Sequence, residues 1–543
     1  MKLLSLLIRA SLPLFSVSAA SSILTGLFST LIIKLIHSAI NNEGMSVEGF
    51  VTAFGLYLLG YLVFSVVASF CISLLTKRIV HNLRIDLTRK IIKADYSLLE
   101  NLKAKLLPVL TDDISTIGIV IERLPSVANG VAMVVGIMVY MMWLSPPLSL
   151  LTLGAFLLIF AINKLSLKFI ARFSKISRAY TNRVYEAFEG LVYGLKSLKI
   201  SSRFRKSFID RTIIPGSSEQ TRYYLYYNVL NSTTSRMNDI VLFLFLAVVI
   251  VMIYLFNFVT MDFFNKYLTL VLFMLAPLST ISGFLSTMKK IEASVEQIDQ
   301  LGIDVSKKTE FREIDPDDTL VSSTSADTNS VIELEDMVYT HEKDETRFTL
   351  GPINLSIEPG KILFVTGGNG SGKTTLIKVL CGLYLPKSGA MSYRGVKITE
   401  GNISAYRDLF GVIFTDSYLF NHLDHIPDEV IQNRGPELLK LLGLQDKVSI
   451  KGSKFSSVNL SEGQKKRLVL LKILLEDKDI YVFDEWVAYQ DQDSKKLFFT
   501  KILPYLRDQG KTVINISHDS RYEHIADQKI HLRNGKIDEL QVA

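Results

Sequence analysis

Six stretches of this chain, residues 11–33, 51–75, 127–144, 148–162, 240–259 and 267–285, carry almost no charge. A helix rises about 1.5 Å per residue and a bilayer's hydrocarbon is about 30 Å thick, so runs of this kind are read as membrane spans. The fourth reaches residue 170 if Lys164 and Lys168 snorkel their amines to the interface. In lipid every backbone polar group must be satisfied internally, which restricts such a segment to a bundle of helices. The first run could imitate a secretory leader, with Lys2 ahead of it and the small residues Ser18, Ala19 and Ala20 behind. Arg9 interrupts it, however, and the apolar character continues well past any cleavage point, so a span is expected.

Charge sets the orientation. The loops at 37–46 and 145–147 carry no Lys or Arg, whereas those at 77–123 and 164–236 are long and basic. Because Lys and Arg are retained on the cytoplasmic side, both long loops and both termini are expected there. The stretches 78–102 and 188–200 place apolar residues at helical spacing, so the spanning helices should continue far into the cytoplasm. Over residues 1–300 there are 29 Lys and Arg against 17 Asp and Glu, net +12, and the rest has 31 against 36, net −5. A basic half can signal nucleic acid, but these cations sit between apolar runs, where membrane orientation accounts for them and no nucleic acid is expected. Mean hydropathy is +0.29 with 21% charged residues, as a membrane part joined to a soluble part requires. Cys71 and Cys381 form neither a disulfide framework nor a metal spacing and read as packing residues. Tyr223, Tyr224, Tyr226 and Tyr227 ahead of the fifth span could line a cavity with amphipathic rings, but an interfacial aromatic belt is the preferred reading.

The polar stretch 303–330 breaks the apolar periodicity and reads as a linker between a membrane domain, 1–302, and a soluble domain, 331–543. In the latter, ILFVTGGNGSGKTT (362–375) is a buried-strand run followed by a G-x-x-x-x-G-K-[ST] pattern from Gly367 to Thr374. Glycines let the chain turn tightly enough for successive backbone N–H groups and the next helix's N-terminus to surround phosphates. Gly367, Gly368, Asn369, Gly370, Ser371, Gly372, Lys373, Thr374 and Thr375 are therefore the nucleotide-binding candidates, with Lys373 reaching the β- and γ-phosphates and Thr374 holding Mg²⁺. A second apolar strand, IYVFDE (480–485), ends in two acids, Asp484 for the metal and Glu485 for the attacking water. Alone, a strand ending in acids is commonplace; its place relative to the other motifs decides.

Between the two stands NLSEGQKKR (459–467), and here the chain resembles ATP-binding cassette proteins. Ser461, Gly463 and Gln464 match the family signature, with Glu462 where many members carry glycine. AYQD (488–491) resembles the D-loop and supplies Asp491, and ISHD (516–519) carries the switch histidine, His518. The resemblance covers the chain from Val331 onward and implies ATP and Mg²⁺, with Glu485, His518 and Lys373 as catalytic residues. Two positions depart from it. Thr415 stands at the place of the Q-loop glutamine, and Asp416 after it is the candidate to take over part of that residue's task at the metal. His341 stands at the place of the adenine-stacking tyrosine and Tyr339 on a strand-core position; either ring could stack on the base, with His341 preferred.

Six spans followed by one cassette resemble the exporter class. The fold expected is a membrane α-helical bundle of six transmembrane helices, exporter type, fused to a cytoplasmic α/β P-loop ATP-binding cassette domain. One phosphate loop and one signature with no internal repeat imply a homodimer, since the family encloses each ATP between two cassettes. The segments 351–389 and 474–491, with Thr415 and Asp416, resemble the cyclic-peptide exporter group, whose members carry lasso peptides, lipopeptides and siderophore precursors. That implies a bacterial inner membrane, lipid contact and a peptide-like or amphipathic cargo. The alternatives are a flippase for lipids or lipid-linked glycans and, from another class, an ATP-gated regulatory or channel protein; complete hydrolytic residues argue against the last.

Overall fold

The computed structural model describes residues 2–40, 46–256, 261–307, 330–341, 348–517 and 519–542. They form two compact units, Met1–Ile92 with Asn101–Asp304, and Lys93–Glu100 with Val305–Ala543. The end of the fifth expected span, 257–259, and residues 308–329 of the linker lie outside the described residues.

Among the described residues, six helical stretches are long and apolar enough to span a membrane: Ser11–Ala39, Val47–Lys93, Leu106–Leu144, Pro146–Tyr193, Ser202–Val251 and Tyr267–Leu285. The helices of this part of the chain are α1 (Lys2–Ile40), α2 (Val47–Lys93), α3 (Tyr96–Pro108), α4 (Ile114–Leu144), α5 (Pro146–Tyr193), α6 (Leu195–Ile200), α7 (Ser202–Phe208), α8 (Ile214–Phe256) and α9 (Met261–Lys307). With 47, 48, 43 and 47 residues, α2, α5, α8 and α9 are roughly twice the length a bilayer requires, as the helical spacing beyond the apolar runs predicts. Pro146 and Pro147 open α5, where a missing N–H costs nothing and the fixed φ suits the first turn.

Packing in this unit follows membrane rules. Small residues let backbones approach: a Cβ on Gly26 would lie 2.5 Å from Ala132 Cβ, and one on Gly136 2.5 Å from Thr30 Oγ1, so α1 and α4 touch along glycines. Leu59, Leu62, Val66 and Phe70 of α2 are exposed, the faces left for lipid. Polar side chains within the bundle are satisfied internally. Asn163 of α5 donates to Asn238 of α8 at 3.1 Å, Asn238 donates to Ser282 of α9 at 2.9 Å, and Ser282 donates back to Asn163 at 2.7 Å. This closed ring joins three helices at the edge of their apolar runs. Tyr223 stacks on Tyr180 of α5 and lies edge-on to Tyr226, so part of the expected aromatic belt is an α5–α8 contact.

The second unit is a layered α/β structure. Its main sheet has the order β12-β11-β3-β10-β9-β6, from β3 (Ile362–Gly367), β6 (Phe410–Ile413), β9 (Ile480–Asp484), β10 (Thr512–Ile516), β11 (Gln528–Arg533) and β12 (Lys536–Val542). All neighbours are parallel except the β11–β12 hairpin. An antiparallel sheet, β2-β1-β4-β5, uses β1 (Ile332–Thr340), β2 (Thr349–Ile357), β4 (Ser388–Tyr393) and β5 (Val396–Lys397), and β7 (Ile450–Lys451) pairs with β8 (Lys454–Phe455). The helices are α10 (Lys373–Leu380), α11 (Ile403–Arg407), α12 (Asp428–Leu441), α13 (Glu462–Glu476), α14 (Gln492–Leu497) and α15 (Leu503–Asp508).

Strands β9 and β10 are buried at every residue because a central parallel sheet is covered on both faces. Alternation then feeds two cores. Leu363, Val365, Val482 and Ile514 face α10 and the antiparallel sheet, while Phe364, Phe483 and Val513 face α12 and α13. Between these layers the carboxyl ends of β3 and β9 open together, and both chemical motifs sit there.

The segment Lys93–Glu100, read from sequence as part of the first cytoplasmic loop, belongs to this second unit. Tyr384 donates its hydroxyl to the Glu100 carboxylate at 2.6 Å, and Lys378 pairs with Glu100 at 3.2 Å. Burial works against the Glu100 carboxylate, but these two partners prevail and hold it below the usual carboxylate range.

Candidate functional site

Where β3 meets α10 the backbone runs through left-handed conformations at Gly367 (φ 147°), Gly370 (φ 75°) and Gly372 (φ 104°), which a side chain would strain. The loop is held by its own lysine. Lys373 Nζ donates to the carbonyls of Gly367 and Gly368, both at 2.9 Å. Burial pushes the Lys373 ammonium down, and the charges of Glu485 and Asp484 oppose that. A cleft of about 640 Å³ opens above the loop, lined by Asn369, Gly370, Ser371, Gly372, Lys373, Thr374 and Thr375, with Glu485, His341 and Phe348 at its sides.

The acids arrive from β9. Asp484 is buried, which raises its carboxyl above the ordinary range; the adjacent Glu485 charge adds to this, while hydrogen bonds from the Thr374 and Thr415 side chains oppose it. Glu485 takes a left-handed conformation (φ 52°, ψ 37°) at the head of a short 3₁₀ turn, Trp486–Tyr489. A non-glycine residue in that region points to an imposed position. Its amide donates to the Ile516 carbonyl at 3.3 Å, anchoring it to the neighbouring strand.

Thr415 thus meets Asp484: its hydroxyl also donates to the Asp484 carbonyl at 3.3 Å. Asp416 is exposed, and among the described residues it makes no hydrogen bond or ion pair with Asp484 or Thr374. His341 lines the cleft, whereas Tyr339 is buried with its face parallel to Tyr384 at 4.6 Å and 4°. That stack occupies the Tyr339 ring and leaves His341 at the cleft wall. Phe348 carries no sequence signal; it enters the wall because a bare Gly372 lets its ring approach, a Cβ there falling 2.9 Å from Phe348 Cζ.

The signature lies elsewhere on the same unit. Ser461 caps α13 in a reciprocal capping box with Gln464, the Gln464 amide donating to Ser461 Oγ at 3.4 Å and the Ser461 amide to Gln464 Oε1 at 3.1 Å. Neither these two residues nor Gly463 line the cleft above the phosphate loop. Two bonds tie α13 to the turn after the acids: Gln490 Nε2 donates to the Gly463 carbonyl at 3.1 Å, and Trp486 Nε1 to the Lys466 carbonyl at 3.2 Å. Asp491 caps α14 by accepting the Ser494 amide at 2.7 Å, which keeps its carboxyl low. His518 lies outside the described residues.

This geometry fits a nucleoside triphosphate: amides and a lysine for phosphates, a glutamate beside them, and a ring at the side for the base. The hydroxyl of Thr374 and the buried carboxylate of Asp484, in contact with each other, are the hard oxygen donors that suit Mg²⁺.

Comparison with known proteins agrees. Residues 350–488 match the ABC transporter family and residues 11–203 the ABC transporter transmembrane region. The chain is 30% identical over 525 residues to the ATP-binding protein SyrD of Pseudomonas syringae pv. syringae, covering 95% of this chain and 92% of that one. Its second half alone is similar to the energy-coupling factor transporter ATP-binding protein EcfA1 of Bacillus subtilis, 30% identical over 222 residues, covering 38% of this chain and 77% of the relative. The solved structure of a bacterial Atm1-family ABC exporter with ATP bound superposes with a TM-score of 0.77 at 14% identity, over 99% of this chain and 95% of the other, which shows a shared fold. The chain therefore belongs to the ABC transporter family, as a half-transporter of exporter fold whose six apolar helices and single cytoplasmic cassette couple ATP hydrolysis to transport at the inner membrane.

Proposed function

We propose that two copies of this chain form an exporter that moves a peptide or peptide-like secondary metabolite outward by alternating access. The observation that carries the pairing is the separation of phosphate loop and signature on one cassette: Ser461, Gly463 and Gln464 stand outside the cleft that Lys373 and Glu485 line. A second copy supplies the missing wall. Lys373 then meets the β- and γ-phosphates, Ser461 of the second copy closes on the γ-phosphate, and His341 stacks on the base. Glu485 takes the proton of the attacking water, with His518 at the γ-phosphate. Thr374 and Asp484 would hold Mg²⁺, which would neutralise phosphate charge.

Support for the cargo class comes from the motif resemblance of segments 351–389 and 474–491 to cyclic-peptide exporters. The spans carry few ionisable groups, which suits an amphipathic cargo held by apolar and hydrogen-bonding surface. Inverted membrane vesicles test both class and direction. A fluorescent cyclic lipopeptide should accumulate inside them with ATP, while a headgroup-labelled phospholipid should not change leaflet. Lipid movement without lipopeptide uptake points to a flippase, and ATP-driven emptying of loaded inverted vesicles rules out export.

Pairing is tested by mixing two inactive variants. Lys373→Ala and Ser461→Arg should each abolish hydrolysis alone. Mixed at equal ratio before assembly, half of the pairs carry one intact composite site, so hydrolysis should return, up to about a quarter of the wild-type rate. A strictly monomeric preparation that hydrolyses ATP at the full rate excludes this arrangement.

A further inference from the structure

The His341 ring at the cleft wall is oriented by its neighbours. Its backbone is placed by the amide, which donates to the Phe348 carbonyl at 3.0 Å. The ring itself stands edge-on to two tyrosines, at 76° to Tyr339 with centroids 6.2 Å apart and at 80° to Tyr384 with centroids 5.9 Å apart. Those tyrosines are buried and lie face to face, 4.6 Å apart and within 4° of parallel. Edge-on and stacked pairs are the arrangements that aromatic quadrupoles favour, so the three rings support one another.

Tyr384 is the member of this group that is tied to something outside it. A buried phenol needs a partner for its hydroxyl, and Tyr384 donates to Glu100 at 2.6 Å, a short bond to a charged acceptor, across 284 residues of sequence. Lys378 of α10 pairs with the same carboxylate at 3.2 Å and donates to the Tyr384 hydroxyl at 3.3 Å, so both ends of that bond are held. Tyr96, one helical turn before Glu100 on α3, meets the Tyr384 ring at 6.0 Å. A ring pinned at its hydroxyl and stacked on its face does not swing, and what rests against it keeps its angle. We propose that Glu100 is a positioning residue for base recognition: through the Tyr384 hydroxyl it fixes the stacked tyrosines against which the His341 ring stands. The inference rests on His341 being the ring that stacks on the base. It makes the affinity for ATP depend on α3, a helix that lies between α2 and α4 in the chain.

The test measures ATP hydrolysis by the full-length protein carrying Glu100→Ala, Glu100→Gln, Tyr384→Phe, His341→Ala and the Glu100→Ala/His341→Ala pair. Inorganic tripolyphosphate, which has the phosphates and no base, is the competitor. Glu100→Ala and Tyr384→Phe should each raise the KM for ATP about fivefold, with kcat and the inhibition constant of tripolyphosphate within about twofold of the wild type. Glu100→Gln keeps a carbonyl oxygen for the tyrosine and should recover most of the affinity. In the His341→Ala background, Glu100→Ala should add less than about twofold, because residues that act through one another do not lose binding independently. Should Glu100→Ala lose the cassette fold, Tyr384→Phe, which keeps the ring, carries the comparison. An unchanged KM for Glu100→Ala and Tyr384→Phe beside a raised one for His341→Ala overturns this inference and leaves the stacking assignment standing. So does an equal weakening of ATP and tripolyphosphate, or a double variant whose losses multiply. A wild-type KM for His341→Ala removes the stacking assignment and this inference together.

Discussion

Glu485→Gln should bind ATP and hydrolyse it at least about 10²-fold more slowly than the wild type, the loss usual for removal of a general base. Glutamine keeps the side chain's length and the left-handed turn at φ 52° keeps its place, so only the proton acceptor is lost. Asp484 and Thr374 are untouched, so binding of metal and phosphate should be kept. Because bound ATP favours the closed pair, nucleotide should stay trapped and the variant should accumulate as an occluded or outward-open dimer. Lys373→Ala should behave differently: it removes the amine that closes the phosphate loop, so affinity falls first and no closed pair accumulates. Measuring steady-state hydrolysis beside retained labelled ATP separates the two. Near-wild-type turnover by Glu485→Gln is the result that dismisses Glu485 as the base.

Gly367→Val should abolish ATP binding and destabilise the cassette by about 3 kcal/mol. A Cβ at this position would lie 2.4 Å from the Leu532 carbonyl oxygen of β11 and 2.7 Å from Ser371 Oγ, at φ 147°. The first neighbour is backbone in a sheet and cannot swing aside, and the left-handed conformation adds a strain of about 1–3 kcal/mol for a side chain. Gly368→Ala is the control, since a Cβ there meets nothing within 4 Å. Its thermal midpoint should match the wild type. Equal melting of the valine and alanine variants would show that the β11 contact does not constrain the loop.

Much of this protein is legible in its sequence because the strongest signals are local. A charge-free run of helical length must span or be buried, so all six spans can be read without tertiary information. The phosphate loop is legible for the same reason: the glycines that need left-handed φ sit next to the lysine they serve. Contacts between distant residues are a different matter. Glu100 meets Tyr384 across 284 residues, and nothing near 93–100 announces that this segment packs with the cassette. Thr415 reads as a departure from the family pattern, and only the approach of β6 to β9 shows that its hydroxyl reaches Asp484. Phe348 is likewise an ordinary residue in the sequence, and it gains meaning from a bare glycine opposite its ring.

The two hydrogen bonds from the 486–490 turn to α13 carry a consequence for a paired assembly. In the proposed dimer one chain's glutamate attends one ATP while its signature seals the other, so each chain is a splint between two nucleotides. Two splints joined through two nucleotides make a closed circuit. Movement of the turn at one nucleotide would therefore reach, through Gly463 and Lys466, the wall of the opposite site. Each cassette of such a pair is in this sense wired to both nucleotides, whatever the order in which they are spent.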